Sequence, residues 1–123
     1  MTMGIIEKVF WWLPFGRVPE IEAEELAARC DGATAPQILD VRTRREWRQS
    51  RIPNAGHATI LSLKKQLADL GLDPERPVVA ICLSAHRSIP AVRLLKFHGF
   101  SDACQLKGGM KAWWAAQLPT EDG

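Results

Sequence analysis

One stretch concentrates the residue types that can do chemistry: Cys82-Leu83-Ser84-Ala85-His86-Arg87-Ser88. It follows Val78-Val79-Ala80-Ile81, the most strand-like run in the chain, and precedes a helical pattern that opens near Ser88. A thiol at the carboxyl end of a buried strand stands where open α/β sheets bind their ligands. Backbone N–H groups from Leu83 to Ser88 can converge on its sulfur, with a helix N-terminus behind them and Arg87 as a permanent cation. Each of these favours an anion, so Cys82 is expected to form a nucleophilic thiolate. The bland alternative is a small hydrophobe buried for packing, the usual fate of a lone free cysteine. Strand end, anion cradle and arginine together favour the reactive reading. Cys30 and Cys104 lack that setting and read as packing residues.

These residues need a scaffold, and the pattern around them supplies one. Glu20–Cys30 reads as a helix ended near Gly32, and Ile38-Leu39-Asp40-Val41 as a buried parallel strand. Thr43-Arg44-Arg45-Glu46 has capping-box spacing, so a short helix should start there and turn Trp47 inward. A further strand is expected near His57–Leu61. Ser62 should then cap a helix striped by Leu63, Leu67 and Leu70 and closed by Gly71. Pro90 fits only the first turn of the helix after the loop. Gly99 stops that helix, with Phe100 folding back on Leu95. A last strand near Ala103–Leu106 leads through Gly108-Gly109 into a helix carrying Met110, Trp113 and Leu118. Alternating strand and helix patterns imply a central, mostly parallel sheet with helices on both faces: a three-layer α/β domain.

The totals narrow the choice of function. The 123 residues suffice for one domain with a real core and leave no room for a second. A net charge of +2, with no basic cluster interleaved with aromatics, argues against nucleic acid as a partner. Three cysteines without C-x-x-C spacing suit neither a disulfide framework nor a structural zinc site. Unpaired thiols and an opening segment with no basic start give the expectation of a cytoplasmic protein.

Met1–Arg17 stands apart, because Ile5, Ile6, Val9, Phe10, Trp11, Trp12, Leu13 and Phe15 crowd into it. It reads as a short apolar helix, residues 1–17, ahead of the domain at 18–119 and a tail at 120–123. Three uses stay open for Met1–Phe15: packing on its own domain, contact with a second copy or a partner protein, or peripheral contact with a membrane.

The loop Cys82–Ser88 resembles the active-site loop of the rhodanese-like sulfurtransferases, usually Cys-x-x-Gly-x-Arg-Ser. Ile38-Leu39-Asp40-Val41-Arg42 with Glu46-Trp47, Arg51-Ile52-Pro53-Asn54-Ala55, and Leu106-Lys107-Gly108-Gly109-Met110 with Trp113 resemble three further signatures of that family, in order. The resemblance runs from about Val18 to Leu118. It implies a rhodanese-like fold and a ping-pong sulfurtransferase needing no metal or organic cofactor. Cys82 would take the outer sulfur of a donor such as thiosulfate and pass it to cyanide or a thiol. It implies catalytic roles for Cys82 and Arg87. Leu83, Ser84, Ala85, His86 and Ser88 would form the substrate-binding cradle. His86 admits two readings, proton shuttle or exposed bystander.

Three departures bear on the activity. Ala85 stands where the family's loop glycine is usual, so the backbone there must keep φ negative or accept strain. Arg51 stands where a histidine is usual, and Ser50 where the glycine before it is usual. Asp40 and Arg42 are read as support, with Arg42 paired to Glu46 and Asp40 fixing nearby loops, and Trp47 and Trp113 as core anchors. The competing functions are a binding or redox-sensing module on the same fold, and a phosphatase or arsenate reductase. The latter needs five residues between Cys and Arg, and only four separate Cys82 from Arg87.

Overall fold

A computed structural model describes residues 11–13 and 16–123. Five parallel strands form one sheet in the order β1-β5-β4-β2-β3. They are β1 (Glu20–Ile21), β2 (Gln37–Asp40), β3 (Gly56–His57), β4 (Val78–Ile81) and β5 (Ala103–Leu106). The helices are α1 (Ala23–Cys30), α2 (Arg44–Gln49), α3 (Leu63–Gln66), α4 (Ser88–Phe97) and α5 (Gly109–Ala115).

Side chains alternate across a strand, and β4 shows the consequence. Val78, Ala80 and Cys82 enter one core with Leu63 of α3 and Ala91, Val92 and Leu95 of α4. Val79 and Ile81 enter the other, with Leu26 of α1 and Met110 and Trp113 of α5. All four β4 residues are buried, as a central parallel strand covered on both faces requires. The chain is therefore the three-layer α/β domain that its pattern implies.

Several local expectations hold in detail. Thr43 Oγ1 accepts from the Glu46 N–H at 3.2 Å while Glu46 Oε1 accepts from the Thr43 N–H at 3.0 Å, completing the capping box. After α4 the Gly99 N–H donates to Lys96 O and the Phe100 N–H to Leu95 O, a Schellman end with Gly99 at φ +95°.

Others are corrected. The helix expected over Glu20–Cys30 starts at Ala23, because Glu20 and Ile21 pair with Gln105 and Leu106 as an edge strand. A two-residue strand leaves no period to read. The strand expected over His57–Leu61 lies earlier, at Gly56–His57, and Leu61 is 95% exposed. The helix after Ser62 changes to a 3₁₀ turn over Leu67–Leu70. Trp113 anchors the core, but Trp47 is only half-buried, with its Nε1–H donated to Ala55 O at 3.1 Å and its ring stacked on His57.

Most of the short helix expected over Met1–Arg17 lies outside the described residues. Within them, Trp11 and Trp12 form a turn, with Trp11 half-buried against the core that contains Val92 and Leu95 and Trp12 exposed. Arg93 Nη1 donates to Leu13 O at 2.9 Å, tying this stretch to α4. Among the described residues no helix is long and apolar enough to cross a membrane.

Candidate active site

Cys82 follows the last residue of β4, and its side chain is buried. The backbone around it is held from behind by α5. The Met110 N–H donates to Cys82 O at 2.8 Å and the Lys111 N–H to Leu83 O at 3.1 Å. These are free amides of a helix's first turn, so a helix end that would otherwise need a cap secures the start of the loop. The approach demands glycine: a β-carbon on Gly109, whose φ is +60°, would fall 2.6 Å from the Leu83 carbonyl carbon and closer still to Cys82 O.

The loop then turns through Ala85 at φ +72°, so the alanine does occupy the left-handed region. An L-residue pays roughly 1–2 kcal/mol of steric strain there. No backbone N–H from residue 83 to 87 donates to an acceptor among the described residues. Leu83, Ser84 and Ala85 are half-buried, His86 is exposed and Ser88 is buried. Cys82 to Arg87 thus lie on one loop and Ser88 on the first turn of α4, with His86 the most exposed of them.

Arg87 does not stand free. Its Nη1 and Nη2 reach Glu46 Oε1 and Oε2 at 2.8 and 3.0 Å, a two-pronged pair between the loop and α2. That bond lowers the Glu46 pKa to about 2 and raises that of Arg87. The expected pairing of Arg42 with Glu46 is therefore overturned. Arg42 is buried and grips Asp40 instead, with Nη2 2.7 Å from Oδ2, and donates a second Nη2 bond to Ser50 O at 2.6 Å. A buried cation must satisfy its donors locally, and Asp40 two residues away is the carboxylate within reach. Arg42 O in turn contacts His57 Nε2 at 2.7 Å. This cluster braces the β2 end of the sheet.

Two contributors carry no local mark in the sequence. The i to i+4 spacing of Arg42 and Glu46 suggests a local pair, whereas the partner of Glu46 is Arg87, 41 residues away. Gln105 is buried, and its Oε1 accepts from Ser88 Oγ at 2.6 Å, while Ser88 Oγ lies 3.4 Å from Cys82 Sγ. No local motif marks it. Elsewhere, burial raises the thiol pKa of Cys104 to about 11 and raises that of Cys30, which suits packing residues. Among the described residues no group of three His, Cys, Asp or Glu side chains gathers to hold a metal ion.

Comparison with known proteins decides the family. The model of the rhodanese-like domain matches residues 22–116. The chain belongs to the rhodanese-like family. One relative, the putative sulfur carrier protein YrkF of Bacillus subtilis, is 31% identical over 78% of this chain, which spans 51% of that protein. The thiosulfate sulfurtransferase GlpE of Pseudomonas savastanoi is 32% identical over 82% of this chain and 89% of its own length. The crystal structure of the Alr3790 protein from Anabaena superposes with a TM-score of 0.76 at 32% identity, covering 83% of this chain and 91% of that one. The rhodanese-like fold expected from the four signatures is thereby established.

Proposed function

We propose that this protein is a sulfurtransferase that carries sulfur as a persulfide on Cys82. The observation that carries this reading is the placement of the thiol: Cys82 directly follows β4 and opens a loop whose backbone N–H groups, from residue 83 to 87, have no acceptor among the described residues. The names of related proteins, thiosulfate sulfurtransferase among them, point the same way.

In the first half-reaction the Cys82 thiolate attacks the outer sulfur of thiosulfate. The S–S bond of the donor breaks, sulfite leaves with the electron pair, and Cys82 holds a persulfide anion. In the second, cyanide or a thiolate attacks the terminal sulfur, giving thiocyanate or a new persulfide and restoring the Cys82 thiolate. Loop amides stabilise the persulfide anion, and Arg87 offsets the charge of donor and leaving group. Leu83, Ser84, Ala85, His86 and Ser88 form the cradle. Neither half-reaction calls for a cofactor.

One observation favours a second reading. Glu46 occupies the Arg87 guanidinium, which leaves less of that charge for a donor anion. A binding or redox-sensing module would show such a pair and no turnover. A thiosulfate:cyanide assay beside a phosphatase assay separates the readings. Thiocyanate formation abolished by Cys82→Ser supports sulfur transfer. No thiocyanate supports the module, and phosphate release would point to the phosphatase.

A further inference from the structure

The contact between Cys82 and Ser88 is the inner end of a longer hydrogen-bond chain. Cys82 Sγ lies 3.4 Å from Ser88 Oγ, Ser88 Oγ donates to Gln105 Oε1 at 2.6 Å, and Gln105 Nε2 donates to Glu20 Oε2 at 2.9 Å. Ser88 and Gln105 are buried, whereas Glu20 is exposed. Glu20 opens onto a groove shared with Ser84, His86 and Lys107 beside the loop.

The polarity of this chain is set from its far end. A carboxylate only accepts, so the Gln105 amide must turn its NH₂ toward Glu20. That leaves the amide oxygen facing Ser88, and an amide oxygen also only accepts. The single hydroxyl proton of Ser88 is thereby committed to Gln105. Ser88 can then offer the sulfur lone pairs and no proton.

We propose that Glu20 and Gln105 are positioning residues that hold Ser88 as an acceptor, so that Cys82 rests as a hydrogen-bonded thiol. The proposal deepens the reading of Cys82 as the sulfur-carrying nucleophile and rests on it. A group that engages Glu20 in the groove releases the amide to turn over. Ser88 can then donate to the sulfur anion, and the thiol proton passes to solvent. Reactivity at Cys82 is in this way coupled to what occupies the groove. The charged and titratable groups around the chain are Arg87 and His86 on the loop, Glu46 on α2, Asp40 at the end of β2, Lys107 after β5 and Arg17 ahead of β1. The variants below leave all of them unchanged.

The test is the rate at which iodoacetamide alkylates Cys82 at pH 7 in the full chain, followed by peptide mass. In that reaction the thiol gives its proton to buffer, and the resulting thiolate displaces iodide. Glu20→Gln allows either orientation of the Gln105 amide, and Gln105→Leu removes the acceptor. Both should alkylate faster, by about fivefold, the worth of one hydrogen bond. The exchanged pair Glu20→Gln with Gln105→Glu again places an acceptor-only oxygen opposite Ser88, and its rate should return to the wild-type value or below. The infrared S–H band, taken as the difference from Cys82→Ser, should move to higher frequency in Gln105→Leu. Unchanged rates in both single variants, or an exchanged pair as fast as they are, would overturn the proposal. Thiosulfate loading of the same proteins keeps the two claims apart. A wild type that loads sulfur while the rates stay flat refutes the chain alone, and one that never loads refutes sulfur transfer alone.

Discussion

Gly109 approaches the backbone of Cys82 so closely that no side chain fits between them. The first turn of α5 donates to the carbonyls of Cys82 and Leu83, and an added β-carbon would overlap the backbone of both. The glycine pair near the end of the chain is thus part of the site's foundation, although it lies 27 residues after the cysteine (109 − 82).

Gly109→Ala should therefore destabilise the fold by at least ~2 kcal/mol, since rigid backbone must move and φ is positive. Its urea midpoint should fall well below wild type, and the surviving folded protein should lose sulfur transfer. A midpoint within error of wild type would show that the close approach is not required.

Ala85 carries the opposite prediction. Its φ of +72° is strained for alanine and free for glycine, so Ala85→Gly should stabilise the protein, by about 0.5–1 kcal/mol once the added chain entropy is discounted. Chemical denaturation measures it. A loss of stability would mean that the alanine methyl contributes contacts that outweigh the strain.

The Arg87–Glu46 pair makes a claim about acid. Glu46 has its pKa lowered to about 2, below the roughly 4.3 of an unfolded glutamate. The folded state therefore gains from the ionised carboxylate above about pH 4.3 and loses that gain as pH falls toward 2. Glu46→Gln should erase this part of the acid sensitivity, so the stability gap between the two proteins should narrow from pH 5 to pH 2. A gap that stayed constant across that range would show that the pair contributes nothing to folding.

The fold is readable because β4 is an unbroken apolar run, and the two cores follow from simple alternation along Val78–Cys82. β1 and β3 were missed or displaced because two-residue strands take their identity from partners far along the chain. The same distinction divides the site. Cys82, Arg87 and the cradle residues are contiguous, so the sequence presents them together. Glu46 and Gln105 reach the loop across 41 and 17 residues, and only the packing of α2 and β5 against it brings them there. Asp40 drew Arg42 away from Glu46 because a buried guanidinium takes the carboxylate that is buried beside it.

Arg87→Ala separates donor chemistry from stability. Arg87 is a third exposed, and pairs of that kind contribute about 1 kcal/mol or less to folding. Turnover with thiosulfate should fall on the order of 10²-fold per folded molecule, the usual result of removing one charge-stabilising donor. A collapsed unfolding midpoint with undiminished activity would make Arg87 a structural residue.

The most direct test of sulfur transfer through Cys82 is the intact mass of the protein after exposure to thiosulfate, with peptide mapping of the product. A gain of one sulfur atom is expected, located on Cys82, removed by cyanide and absent in Cys82→Ser. A persulfide mapped to Cys104 or Cys30, or sulfur transfer that survives in Cys82→Ser, would contradict it.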